Sequence, residues 1–311
     1  VMDAARAQYN PDILSHVTVT LPASFELEGE RGALMRRTAA AAGADPNTLH
    51  LMYEPQAAAL GTYAIGTPCG ELREGDQILV YDLGGGTFDA ALLQLTPRGL
   101  VPAIRPSGDA SLGGRDIDRA LVEDVLAQAP PEIRDQLARP PAEEASAVAR
   151  RGWISARLKL LNECREAKEA LSQTAETPIE CPGLSPYTVV MTRDRMEHLA
   201  RPLIDRTIAC CRQLLELAGS NPGRVAHVLL VGGSCRMPCV QSALTAAFSR
   251  PLLMAQDPAR IVANGAALDA DQRARPEFWE RLYASDPAFS HEPDQPARER
   301  TMLAGMHRAA G

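Results

Sequence analysis

Apolar residues recur along this chain at two periods, and the switches between them mark out its elements. Residues 16–21 alternate apolar and polar as a strand does, and Pro22 stops them. Residues 30–43 are rich in Ala and Arg and end at Gly43, which predicts a helix with a glycine stop. A short strand is expected at 49–53. Pro55 then opens an alanine-rich helix, since a first helical turn tolerates proline. Residues 1–10 read as a helix end and residues 67–75 as a polar loop. Residues 77–81, apolar from Ile78 on, predict a buried strand ending in Asp82. Three glycines and Thr87 separate it from a second strand at 88–95, so the pair predicts a hairpin.

The second half follows the same logic. A turn at 108–114 leads into a helix over about 116–127, and the proline-rich residues 130–141 read as a loop. Helical spacing resumes over 143–174, and short strands fall within 179–191. Thr192 is an N-cap for a long helix ending at Gly219, with Met196, Leu199, Leu203, Cys211 and Leu214 on one face. Pro202 is expected to kink or break that helix. Residues 225–231 predict a buried strand, which Gly232, Gly233 and Ser234 turn into a helix near Pro238. Asp257 and Pro258 read as N-cap and first turn of a last helix, to about Ala270. Residues 271–311 are rich in Arg, Pro and Glu and read as a polar tail, with Trp279 and Tyr283 as a local packing pair. No repeat of fixed period is visible.

Composition narrows the classes. At 311 residues the chain can build one large domain or two lobes, and aromatic residues are only 4%, so aliphatic side chains and alanine must form the core. A net charge of −7 argues against a general nucleic-acid or membrane-surface binder. No apolar run approaches the ~18 residues of a membrane span, and no secretory leader is visible, so the reading is a cytoplasmic protein. The 7 cysteines, including Cys69, show no repeated pair spacing and read as reduced, mostly buried thiols, although Cys235 and Cys239 could meet on one helical turn. Lys159 and Lys168 are the only lysines among 32 basic residues, which limits where a catalytic lysine could stand.

Three motifs could carry chemistry. In Asp82-Leu-Gly-Gly-Gly-Thr87, glycines let backbone amides approach an anion, and the aspartate can hold hydrated Mg²⁺. The plain alternative is a tight hairpin with a turn-stabilising aspartate. Val231-Gly-Gly-Ser234 could lay a nucleotide against a strand-to-helix turn, or be no more than the glycines such a turn requires. Glu54-Pro-Gln-Ala-Ala-Ala59 puts a carboxylate at a helix start, either for the helix dipole or as a second oxygen donor near a metal. Neither a Walker loop nor a Rossmann glycine fingerprint is present.

The order of these motifs resembles the nucleotide-binding region of the 70-kilodalton heat-shock chaperone family, from about Val17 to about Ala270. Pro22-Ala-Ser-Phe25 resembles the family's V-P-A-Y-F, Glu54–Ala59 its N-E-P-T-A-A-A, and Tyr81–Asp89 its Y-D-L-G-G-G-T-F-D. Gly108–Asp118 resembles G-D-x-x-L-G-G-E-D-F-D, Leu230–Pro238 L-V-G-G-S-T-R-I-P, and Ile261–Ala267 A-V-A-Y-G-A-A. The resemblance implies an α/β, actin-like (ribonuclease H-like) fold of two lobes around a nucleotide cleft. Residues 1–70 would be the remainder of an incomplete lobe I and 71–270 lobe II, with 112–191 a distal subdomain. A final helix at 258–270 would cross back to lobe I, and 271–311 would be the tail.

The same resemblance implies ATP or ADP with Mg²⁺ as cofactors. Asp82 would help place the metal and attacking water, Glu54 would contact the metal's water shell, and Thr87 with Gly84, Gly85 and Gly86 would face the phosphates. Gly114 would lie near the phosphate–ribose region. Lys168 and Ser172 would line the adenine and ribose side, and Gly232, Gly233, Ser234 and Arg236 would complete the base pocket.

Several positions depart from the family pattern. Arg165 and Glu169 invert the family's charges, Arg115 replaces a glutamate, Ala259 an aspartate and Ser24 a tyrosine. The family's opening G-I-D-L-G-T-T turn, an early lysine and the peptide-binding domain have no counterpart in the sequence. The expectation is a nucleotide-binding region with little turnover, its partners being nucleotide and cochaperones, with no nucleic acid and no membrane. Two alternatives are a non-catalytic actin-like interaction module and another actin-like class such as a sugar kinase; the Glu54–Ala59 and Leu112-Gly-Gly motifs point away from the latter.

Overall fold

A computed structural model describes residues 15–64, 72–96, 99–142, 145–182, 187–255, 257 and 260–277. The helix end expected at 1–10, Cys69, most of the 67–75 loop, Pro258, Ala259, and the Trp279/Tyr283 pair lie outside those residues.

The centre is a six-stranded mixed sheet. Its strands are β3 (Gln77–Leu83), β4 (Phe88–Thr96), β5 (Gly99–Pro102), β6 (Ser107–Asp109), β9 (Val225–Val231) and β10 (Leu252–Met254). The order is β10-β9-β3-β4-β5, with β6 also on β4. β10, β9 and β3 run parallel, and β3 to β4 is the expected antiparallel hairpin, with Asp82 registered opposite Asp89. The short strands β5, β6 and β10 had no periodicity long enough to be read.

Both faces of this sheet are covered, which is why 78–81 reads as an unbroken apolar run. Leu79, Tyr81, Phe88, Leu92, Val228 and Leu230 face one core. There they meet α3 (Gly114–Gln128), α5 (Ala147–Leu171), α6 (Arg193–Leu217) and α7 (Pro238–Phe248). Ile78, Val80, Ala91, Leu93, Leu229 and Val231 face the other, with Ala58, Ala59 and Ile261. That second layer is α2 (Glu54–Ala64) and α8 (Ile261–Ala274). The two helices approach backbone to backbone, because a methyl group on Gly265 would overlap the Ala57 carbonyl and one on Gly61 the Ile261 carbonyl.

A parallel pair, β1 (Val17–Leu21) and β2 (Leu49–Tyr53), flanks α1 (Glu30–Ala41) and is tied to α8. Thr18 donates to Asp269 at 2.6 Å, and His50 Nδ1 lies 2.7 Å from the same carboxylate. A further hairpin, β7 (Glu176–Cys181) with β8 (Tyr187–Thr192), precedes α6.

Four expectations need correction. Residues 130–141 are not a loop: α4 (Pro131–Ala138) forms there, because proline in the first turn costs no hydrogen bond and Ile133 and Leu137 are buried. α6 runs unbroken through Pro202. The last helix covers 261–274 rather than 258–270, so its final turn takes up residues assigned to the tail. Asp257 serves it with a backbone carbonyl, accepting from Arg260 and Ile261, while its φ of 45° keeps it outside the helix. Cys235 and Cys239 do not share a helical turn either, since Cys235 lies in the short 3₁₀ turn Gly233–Arg236 and Cys239 in α7. Cys164, Cys181, Cys211 and Cys235 are buried free thiols.

Candidate functional site

Two glycine turns lie side by side at the carboxyl edge of the sheet. β3 and β9 are adjacent and parallel, with Asp82 paired to Val231, so the chain leaves both strands at the same edge. From β3 it enters Gly84–Gly86, and from β9 it enters Gly232–Ser234. Gly232 has φ of 87°, and any side chain there would collide with the Leu83 carbonyl and come within 2.8 Å of Asp82 Oδ1. The turn therefore requires glycine.

A third segment closes on them. At the start of α3, the Gly114 amide donates to Gly84 O (2.9 Å) and the Arg115 amide to Gly85 O (2.8 Å), while Ser234 Oγ donates to Gly84 O (3.2 Å). A methyl group on Gly113 would stand 2.7 Å from the Gly86 backbone, and one on Gly114 2.6 Å from Ser234 Oγ. The loop carbonyls are thus tied back, and the Gly85 and Gly86 amides make no hydrogen bond among the described residues. Two adjacent free amides on a glycine turn form an anion-facing concavity.

Beside this turn sit three carboxylates from three elements. Glu54 opens α2, Asp82 ends β3, and Asp89 lies opposite on β4. Burial pushes Asp82 up to about 7, and the charges of Asp89 and Glu54 add to the shift. Burial, then the charge of Asp89, raises Glu54. Asp89 is 1% exposed, and burial raises it despite hydrogen bonds from the Ala23 amide (2.6 Å), the Ser24 amide (3.3 Å) and the Thr87 hydroxyl. Three acids raised by burial, with Asp82 and Glu54 raised further by neighbouring carboxylates, form a site short of positive charge. Among the described residues no three His, Cys, Asp or Glu side chains close on one point as a direct metal cage would.

On the far side, Lys168 of α5 is buried, with Nζ 2.7 Å from Asp118 of α3 and donating to Gly114 O at 3.0 Å. Burial raises the Asp118 carboxyl more than its hydrogen bond and ion pair with Lys168 lower it. The lysine thus braces the α3 start against the glycine turns. Ser172 Oγ donates to Lys168 O at 3.4 Å. Arg165 and Glu169, the inverted pair, are exposed and lie 4.0 Å from each other.

Of the residues singled out from sequence, Asp82, Gly84, Gly85, Gly86, Gly114, Lys168, Gly232 and Ser234 are joined by direct contacts. Thr87 enters through its hydrogen bond with Asp89, and Glu54 through its charge. No hydrogen bond connects Ser172 Oγ, Gly233 or exposed Arg236 with the Gly84–Gly86 turn among the described residues. Sequence reasoning left Asp89 out of the site. Counting hairpin register outward from Gly84–Thr87 would have found it, since that register sets it opposite Asp82.

Comparison with known proteins agrees with this geometry. The family model described as Hsp70 protein matches residues 1–274. A Chaperone protein HscA homolog of Azotobacter vinelandii is 38% identical over 256 residues, covering 82% of this chain and 36% of that protein. One from Bordetella pertussis is 37% identical over 274 residues, 86% of this chain and 40% of that protein. One from Acidithiobacillus ferrooxidans is 36% identical over 255 residues, 81% and 36% respectively. This chain therefore spans well under half the length of the curated relatives it matches, and no helix among its described residues is long and apolar enough to cross a membrane. With a mixed α/β sheet, glycine turns at the carboxyl ends of its strands and this similarity along most of its length, the chain belongs to the Hsp70 family.

Proposed function

We propose that this chain is an ATP- and ADP-binding region of an Hsp70-type chaperone, actin-like in fold, with two lobes about the nucleotide. In the whole protein its ATP hydrolysis would be coupled to protein folding. The observation that carries the reading is the pair of free amides at Gly85 and Gly86 set beside three mutually repelling carboxylates. An anion and a hard cation held together satisfy both, and a Mg²⁺–nucleotide is such a pair. The donor set fits hydrated Mg²⁺: it offers oxygen ligands only and forms no direct cage among the described residues, as suits an ion held through its waters. That ion would supply neutralisation of the phosphate charge.

The chain's own residues then have distinct tasks. Asp82 and Glu54 would hold the ion through its water shell, and ionised Asp82 would accept a hydrogen bond from the attacking water. Asp89 holds Thr87 and the Ala23–Ser24 backbone in place. Gly84, Gly85, Gly86 and Thr87 cradle the phosphates, and Gly114 passes close by because Lys168 and Ser234 pin it. Gly232, Gly233, Ser234, Arg236 and Ser172 border the ribose and base. Such work is positioning and electrostatic stabilisation, as phosphoryl transfer requires. Residues 1–70 are assigned to lobe I and 71–270 to lobe II, with 112–191 its distal part and the final helix crossing back to lobe I. The protein is assigned to the cytoplasm, with cochaperones as partners.

The test is calorimetric titration of the chain with ADP, with and without Mg²⁺. Binding is expected only with the metal, and Asp82→Ala is expected to weaken it at least tenfold. Equal binding by Asp82→Ala and the parent chain would overturn the site assignment.

A further inference from the structure

Arg115 is the second residue of α3 and bears a charge that no hydrogen bond or ion pair among the described residues compensates. A helix start carries partial positive charge, so a cation in its first turn is repelled there. Acidic residues are the usual occupants, and Asp116 next door behaves that way: it accepts from the Gly113 amide at 2.8 Å and pairs with Arg119. Arg115 does neither. Its side chain is exposed and makes no hydrogen bond or ion pair among the described residues. The nearby acids do not draw it in.

Its position, by contrast, is fixed. The Arg115 amide is bonded to Gly85 O, the preceding Gly113 is jammed against the Gly86 backbone, and a methyl group built on Gly86 would lie 3.7 Å from an Arg115 guanidinium nitrogen. The guanidinium therefore hangs over the same turn whose Gly85 and Gly86 amides are free. A planar fork of donors above two unused amides completes a phosphate contact that the amides alone leave half-formed.

We propose that Arg115 is a phosphate-binding residue of this site, gripping the phosphate chain of a nucleoside di- or triphosphate and setting the chain's preference for polyphosphates over the bare nucleoside. This rests on the nucleotide reading above. Binding then has two separable parts, a base-and-ribose part in which Arg115 takes no role and a phosphate part in which its charge counts. The phosphate part is sensitive to salt, because an exposed ion pair is screened.

The decisive experiment is titration of the 311-residue chain and its Arg115→Gln and Arg115→Lys variants with Mg²⁺–ADP and with adenosine, at low and at high salt. Arg115→Gln is expected to weaken ADP about tenfold, to leave adenosine within twofold and to flatten the salt dependence, while Arg115→Lys recovers part of the loss. A side chain that merely shaped the fold would move ADP and adenosine together and leave the salt slope alone. If Arg115→Gln binds ADP as the parent does, the arginine has no such role although the nucleotide site stands. If the folded parent binds neither ligand, the nucleotide reading fails and this proposal falls with it.

Discussion

At the residue scale the decisive feature is Asp82, an acid whose folded-state proton affinity lies far above its ordinary value. Its carboxyl ionises near 7 when folded, against an ordinary value of 3.8, because burial and two neighbouring carboxylates oppose the charge. An unfolded chain loses that proton from about pH 4 upward. Between the two values the unfolded state releases a proton that the folded state keeps, so stability falls as pH rises and the loss is complete above about 7. Asp82→Asn removes the charge and its cost. In metal-free buffer the variant is expected to have a higher unfolding midpoint than the parent at pH 8 and a much smaller advantage at pH 5. A constant advantage across that range would mean that Asp82 is not desolvated by its neighbours. Sequence could name Asp82 because a glycine run after an apolar strand is a local signal. It did not give Asp89 a role, because that residue matters through the register of a hairpin rather than through any neighbour in sequence.

Elements with a local sequence signal were legible: β2 and β9 fall where they are expected, and Thr192 caps α6 as its side chain suggests, accepting from the Arg195 amide. What escaped were pieces whose existence depends on tertiary pairing. β6 is three residues long and exists because β4 offers it an edge, with Gly108 small enough to pass over Asp89. α4 hides in a proline-rich stretch because only two of its side chains need burial. The contact between α2 and α8 is of the same kind, since Gly265 in the sequence gives no hint that its Cα meets the Ala57 carbonyl. Gly265→Ala is expected to push the two helices apart and cost about 1–3 kcal/mol, as overpacking does. The gain in helix propensity from replacing glycine, ~1 kcal/mol, acts in the opposite direction and is outweighed. Thermal unfolding followed by circular dichroism is expected to show a fall of several degrees; a rise would mean that the helices separate without loss.

For the whole molecule, the site's position determines what a ligand should stabilise. The glycine turns end β3 and β9, the central parallel strands. α3 is bonded to Gly84 and Gly85, and α5 reaches α3 through the buried Lys168–Asp118 pair. β1 and β2 meet the same place, because the Ala23 and Ser24 amides that follow β1 donate to Asp89, and Glu54 follows β2 directly. A ligand that ties the amides of Gly85 and Gly86 to the three carboxylates therefore touches structure from both flanks of the sheet rather than one loop. Binding to the folded state alone stabilises it by about 2.7 kcal/mol at a ligand concentration of 100 times Kd. At roughly 2–4 °C per kcal/mol for a body of this size, saturating Mg²⁺–ADP is expected to raise a single cooperative transition by at least about 5 °C, and chelating the metal to abolish the rise. The cooperativity is the informative part. If only one portion of a split transition moved, the site would be bound to one flank, and Asp89 would not connect the β1–β2 pair to the nucleotide turns as its hydrogen bonds imply.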